Sequence, residues 1–281
     1  MTISRFFASA GVRHGEVAVT RAKAFEAAHA FRDPAFGEDA RVHGHNYVLT
    51  ATIAGPVDPR TAMLVDFRAL DRVLADAVEP LDHRRLDREY TPIQGCEPGV
   101  ETLARALRAD LEPRLRAAIP HSRLAGVRVA ETEDLWADDE GGLAMELTRA
   151  YSFSAAHRLV DPGRSDEANR ALYGKCANPQ PHGHDYRFEV TVAGEPDPRT
   201  GLVADLGALD GAVEREVIEP FDHRYLNAEV PPFDRVVPTA ERIAMRIWAL
   251  LAPSVAGLAR IVVYETPRSA FTYRGPAASA A

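Results

Sequence analysis

The chain has 281 residues, of which 33 are basic and 41 acidic, giving a formal charge of −8. Hydrophobic residues make up 46% and charged residues 26%, a globular balance that excludes a disordered chain, a collagen and a disulfide-stapled mini-protein. The acidic excess argues against a nucleic-acid partner, the two cysteines Cys96 and Cys176 are too few for a disulfide framework, and no apolar run approaches the roughly 20 residues of a membrane helix. Met1 to Gly15 is short and mixed, without a long apolar segment before a cleavage site, so a soluble cytoplasmic protein is expected.

Compared with itself, the chain is a tandem repeat. TRAKAFEAAH at 20–29 returns as TRAYSFSAAH at 148–157, and HGHNY at 43–47 as HGHDY at 182–186. DPRT at 58–61 returns at 197–200, EPLDHR at 79–84 as EPFDHR at 219–224, and Glu131-Thr132 as Glu265-Thr266. The order is kept throughout, which places one domain at 14–140 and a second at 143–275, joined at Gly141-Gly142. The tail from Pro276 to Ala281 is expected to fray.

In the second repeat the segment before His157 is strand-like. Tyr186, Phe188, Val190 and Val192 then fall on every second position, the pattern of a strand with one buried face. Leu206, Leu209, Val213 and Val217 recur at helical spacing. A second helix starts at about Thr239, a plausible N-cap, carries Ile243, Ile247, Leu250 and Leu251 on one side, and stops at Pro253. Strands over 259–265 and 270–273 close the repeat. The order β-β-α-α-β-β predicts an α+β fold, an antiparallel sheet with helices on one face. The first repeat reads the same, except that 135–140 looks too acidic for a good final strand.

His182 and His184 flank one glycine, so on a strand both imidazoles point to the same face as Tyr186. His157 on the neighbouring strand can complete three neutral nitrogen ligands, the open donor set of a catalytic zinc. A single His-Gly-His is weak evidence, because structural histidines are common. Here the set occurs twice, as His157, His182, His184 and as His29, His43, His45, which favours metal binding in both repeats.

On these residues each repeat resembles the 6-pyruvoyl-tetrahydropterin synthase family, which includes the 6-carboxy-tetrahydropterin synthases. The signatures are FSAAH ending at His157, GKCANPQPHGH from Gly174 to His184, the Asp-His pair and the late Glu-Thr. The resemblance covers nearly all of 146–275 and, more loosely, 17–135. It implies the tunnelling fold (T-fold), in which sheets of neighbouring subunits join into a barrel with active sites at subunit interfaces. It also implies zinc and a pterin substrate, usually 7,8-dihydroneopterin triphosphate, from which triphosphate is eliminated. A homo-oligomer follows, and three tandem chains would supply the six domains of a hexamer.

The same resemblance implies roles. Cys176 is the base that removes a side-chain proton, with Lys175 beside it to favour the thiolate. Asp222-His223 is a proton relay, and Glu265 anchors the pterin through paired hydrogen bonds. Thr239 matches a position near the pterin, and equally well reads as a simple helix cap. Five residues separate Cys176 from His182, the spacing of the 6-pyruvoyl enzyme, where the 6-carboxy enzyme usually has three. The first repeat keeps its histidines, Asp82-His83 and Glu131, but has no cysteine at the motif, and Gly99 and Ala30 stand where the second has Thr239 and Arg158. Glu38, five residues before His43, resembles a glutamate variant associated with forming 6-hydroxymethyl-dihydropterin. A non-catalytic pterin- or zinc-binding module is the other reading of this repeat.

Overall fold

The computed structural model describes residues 12–277. The expectations for the residues before 12 and for the frayed tail after 277 lie outside the described residues. The chain forms two compact units: one holds the residues up to Thr148 together with Ala193–Ala204, the other Arg149–Val192 and the chain from Asp205 onward.

In the first unit β1 (Val17–His29) and β2 (His43–Gly55) pair antiparallel along their whole length, with His29 opposite His43 and Ala27 opposite His45. Tyr47, Leu49, Ala51 and Ile53 are fully buried at every second position of β2, as the alternation requires. The helix α1 (Phe67–Val78) is capped by Asp66, whose carboxylate accepts the Arg68 N–H. It buries Leu70, Val73, Leu74, Ala77 and Val78 on one side. The helix α2 (Val100–Ala118) buries Leu103, Leu107, Leu111 and Leu115, a stripe at a spacing of four. Then β3 (Arg123–Thr132) and β4 (Leu135–Asp139) complete a sheet of order β4-β3-β2-β1.

Although 135–140 reads as a weak strand, β4 is regular and all five of its residues are buried. The acids that weaken its pattern are neutralised locally. Arg128 forks onto Asp138 at 2.6 and 2.7 Å and lies over the Trp136 ring. Asp139 receives Arg105 at 3.1 Å and Arg108 at 3.8 Å.

The second unit repeats the plan. It comprises β5 (Met145–His157, from Arg149 on), α3 (Asp166–Tyr173), β6 (His182–Gly194, up to Val192), α4 (Leu206–Val213), α5 (Ala240–Leu251), β7 (Leu258–Thr266) and β8 (Ser269–Tyr273). The sheet order is β8-β7-β6-β5. The helical stripe of Leu209, Val213 and Val217 stays buried because α4 runs on into a π-helical turn, Glu214–Ile218. Helix α3 is an addition to the expected β-β-α-α-β-β order. Its signals are local: Ser165 accepts the Ala168 N–H, and Asp166 and Glu167 sit in the first turn, where the helix dipole favours acids. Among the described residues no helix is long and apolar enough to cross a membrane.

The buried Arg128–Asp138 pair yields a stability prediction. Asp138→Ala strands a guanidinium in the interior and is expected to cost about 3–5 kcal/mol in urea unfolding. The double replacement Arg128→Met with Asp138→Leu should recover most of that loss; an Asp138→Ala chain as stable as the wild type would contradict the pairing.

Candidate metal centres and active site

The His-Gly-His step places two imidazoles on one face of β2, and β1 brings His29 up to them. His29 Nε2 lies 3.0 Å from His43 Nε2, and one nitrogen from each of His29, His43 and His45 falls within 4.8 Å of the others. The second unit repeats this, with His157 Nε2 at 3.1 Å from His182 Nε2 and His184 completing the cluster. Two nitrogens on one tetrahedral zinc, each ~2.0–2.1 Å from the metal, stand about 3.3 Å apart. The glycine between the histidines allows the close approach: a Cβ on Gly44 would meet Ala27 O at 3.2 Å, and one on Gly183 would meet Ala155 O at 3.1 Å.

Backbone carbonyls set the tautomers. His29 Nδ1 donates to Pro98 O at 2.9 Å, His157 Nδ1 to Pro238 O at 2.8 Å and His43 Nδ1 to Arg41 O at 2.8 Å. A carbonyl only accepts, so Nδ1 carries the proton and Nε2 turns a lone pair into the cluster. Burial, aided by repulsion from the neighbouring imidazoles and opposed by the carbonyl bond, pushes His29 and His157 down to about 4. Burial likewise lowers His45 and His182. These shifts favour the neutral imidazole of His29, His45, His157 and His182, the form that binds metal. His45 Nε2 and His184 Nε2 are buried with no hydrogen-bond partner. A metal ion supplies what such stranded lone pairs lack, and an all-nitrogen donor set of three suits zinc.

A carboxylate closes each cluster. Glu131 lies 3.4 Å from His45 Nε2 and 3.7 Å from His29 Nε2, and Glu265 lies 3.5 Å from His157 Nε2 and 3.6 Å from His184 Nε2. The two strand tyrosines of HGHNY and HGHDY belong here as well, a role that the sequence reading missed although the repeat marks both. Tyr47 OH donates to Glu131 at 3.4 Å, and Tyr186 OH lies 3.3 Å from His157 Nδ1. The Tyr186 hydroxyl is pushed up first by burial, then by the neighbouring Glu265 and Cys176. The Cys176 turn, Gly174–Ala177, is tied to the chain just past β5 through the Leu159 N–H, which donates to Cys176 O at 2.9 Å.

The Asp-His pairs are built by the backbone. Asp222 accepts the Ser154 N–H at 2.8 Å on one oxygen and His223 Nδ1 at 2.7 Å on the other, while the His223 N–H donates to Ser154 O at 2.6 Å. These bonds hold His223 at φ 56°, a left-handed conformation uncommon for a side chain of this size. His83 has the same φ, the same backbone bond to Glu26 O, and Asp82 at 3.2 Å. Both imidazoles are exposed, and His83 Nε2 lies 3.7 Å from a Glu26 carboxylate oxygen. Among the described residues no hydrogen bond or ion pair joins either pair to a histidine cluster.

Thr239 caps α5, accepting the Arg242 N–H at 3.4 Å, and follows the Pro238 carbonyl that holds His157. Glu38 stands in a short helical turn, Pro34–Ala40, with its side chain 90% exposed and paired with Arg41 at 3.3 Å. Arg158 turns its guanidinium to the carbonyls of Asn178 and Ala177.

The family described as 6-pyruvoyl tetrahydropterin synthase matches this sequence twice, over 18–141 and 146–276. The chain belongs to that family. It is 44% identical over 132 residues to the human 6-pyruvoyl tetrahydrobiopterin synthase, a match spanning 46% of this chain and 91% of the human one. It is 35% identical over 135 residues to the 6-carboxy-5,6,7,8-tetrahydropterin synthase of Synechocystis, covering 46% of this chain and 93% of that one. The solved 6-pyruvoyl tetrahydropterin synthase of Caenorhabditis elegans aligns over 47% of this chain and 96% of its own length, with 37% identity and a TM-score of 0.46. Each of these relatives is thus about one repeat long.

Two outcomes follow from the clusters. Elemental analysis should find two metal ions per chain, falling to one in His43→Ala and to one in His182→Ala; a wild-type value near one, lost only with His182, would show that the first cluster does not load. In the metal-free chain, His29 and His157 titrate near 4 when folded and near 6.5 when unfolded, so between these values the unfolded state binds more protons. Stability is therefore full above pH 6.5 and declines as pH falls towards 4, by up to about 3 kcal/mol per histidine. Chemical denaturation across that window, compared with His157→Gln, checks the slope.

Proposed function

We propose that this chain is a metal-dependent pterin synthase whose second repeat eliminates triphosphate from 7,8-dihydroneopterin triphosphate, as in 6-pyruvoyl-tetrahydropterin synthesis. The observation that carries this reading is that the second repeat alone has a cysteine at the motif, in the Cys176 turn whose carbonyl the Leu159 N–H holds two residues after His157. A zinc ion held by His157, His182 and His184 would polarise the side-chain oxygens of the substrate. Glu265 accepts the 2-amino and ring N–H groups of the pterin and fixes its orientation. Thr239 flanks the pterin end of the site while capping α5. The Cys176 thiolate takes a proton from a side-chain carbon. The freed electron pair forms an enol double bond as the carbon–oxygen bond to triphosphate breaks. His223, its Nδ1 held by Asp222, uses Nε2 to return a proton to the enol carbon as the ketone forms.

The first repeat is proposed to bind a metal and a pterin-sized ligand without turnover. An open cleft of about 350 Å³ lies beside Glu131, lined by His45, Val48 and Thr132 among others. Glu38, its only candidate base at the motif, is turned to solvent and Arg41. We further propose a homo-oligomer of three chains, whose six domains close the open sheet edges.

Measured as triphosphate release, Cys176→Ala is expected to lose ~10²–10⁴-fold in rate, the usual effect of removing a proton-transfer group. Glu38→Ala should stay near the wild-type rate. Equal losses in the two variants would contradict this division and point to coupled active sites.

A further inference from the structure

Two copies of one loop follow β2 and β6, and they are folded alike. Asp58 N–H donates to Met63 O at 2.9 Å and Ala62 N–H to Asp58 O at 2.8 Å; the counterparts are Asp197 N–H to Leu202 O at 2.8 Å and Gly201 N–H to Asp197 O at 2.7 Å. Ala62 and Gly201 hold the same left-handed position, with φ of 55° and 77°. In the first unit the second copy of the loop is seated on the start of α2. The Glu101 carboxylate, only 3% exposed, accepts the Val203 N–H at 3.1 Å and also bonds the Ala204 N–H. Beside it the Glu97 N–H donates to Thr200 O at 2.8 Å, and the Thr102 hydroxyl to Gly201 O at 3.3 Å.

That seat has a twin. Thr239-Ala240-Glu241 begins α5 as Gly99-Val100-Glu101 begins α2, yet Glu241 is exposed, and one turn further on Met245 is 39% exposed. The first copy of the loop is exposed at its tip, with Met63 at 48%, while Leu64 is half-buried and the Val65 side chain is buried. Its Leu64 and Val65 are the counterparts of Val203 and Ala204. We propose that Glu241 of one chain receives the backbone N–H groups of Leu64 and Val65 from a second copy of this chain. This rests on the homo-oligomer reading and adds to it the contact surface and its occupant.

Side-chain size pairs unlike seats with unlike loops. A Cβ on residue 201 would meet Thr102 Oγ at 2.5 Å, and a Cβ on residue 99 would meet Leu202 Cδ2 at 2.6 Å. The α2 seat therefore favours the glycine-bearing loop and disfavours Ala62. At the α5 seat the matching places carry Thr239 and the flexible Arg242, opposite Ala62 and the unbranched Met63. One chain thus offers a free seat and a free loop at different places, a head-to-tail contact that closes into a ring. The seat adjoins the catalytic cluster, because Pro238, whose carbonyl orients His157, directly precedes Thr239.

Light scattering on the metal-loaded full chain tests the contact by complementation. Glu241→Arg spoils the seat and keeps the loop; Met63→Asp spoils the loop and keeps the seat. Both residues are exposed, so folding is expected to survive, with unchanged circular dichroism and metal content as the check. Wild type should run as an oligomer and each variant alone at the mass of one chain. Their equimolar mixture at high concentration should double that mass, through one intact contact. An oligomeric wild type with a Glu241→Arg variant that still assembles, or a mixture that stays at one-chain mass, would overturn the contact while leaving the homo-oligomer standing. A monomeric wild type would overturn both.

Discussion

The site depends on the period of two along a β-strand. His43 and His45, and His182 and His184, reach a common face because one glycine separates them, and the neighbouring strand then delivers His29 or His157 by register alone. A shift of one residue in that pairing would turn the imidazoles away from each other. The full-length pairing of β1 with β2, backed by the buried alternation of Tyr47, Leu49, Ala51 and Ile53, prevents such a shift.

Burial does the electrostatic work. Lowering His29 and His157 to about 4 keeps the central imidazole of each cluster neutral, where charged rings in close contact would repel. The carbonyls of Pro98 and Pro238 then fix which nitrogen is bare. These carbonyls lie just before the long helices, so the start of each helix serves the histidine cluster on one side. On α2 it also grips a loop with Glu101. Duplication has let the two repeats differ around a shared core: both keep the histidines, the tyrosine and the late glutamate, while the motif cysteine Cys176 and the threonine cap Thr239 occur in one alone.

Much of this was legible in the sequence because it rests on local periodicity. The strand around Tyr186 to Val192, the helix capped by Thr239 and the ligand triads follow from spacing and repetition. The strand 135–139 was underrated because its partners are remote: Arg105, Arg108 and Arg128 neutralise acids that look like strand breakers in isolation. Helix α3 escaped because its cap, Ser165, sits in a polar stretch with little apolar rhythm. The left-handed backbone of His83 and His223 could not be read, since it arises from hydrogen bonds to a strand far away in the chain. The same holds for Glu101, whose burial depends on residues about a hundred positions later.

The central claim is that the paired repeats divide their labour, with metal sites in both and proton chemistry in the second. Mass spectrometry of the products formed from 7,8-dihydroneopterin triphosphate by the metal-loaded wild-type chain tests it most directly. The account predicts a product that has lost triphosphate and kept all the side-chain carbons. A product whose side chain has been cut to a hydroxymethyl group, or unchanged substrate with both clusters loaded, would contradict it.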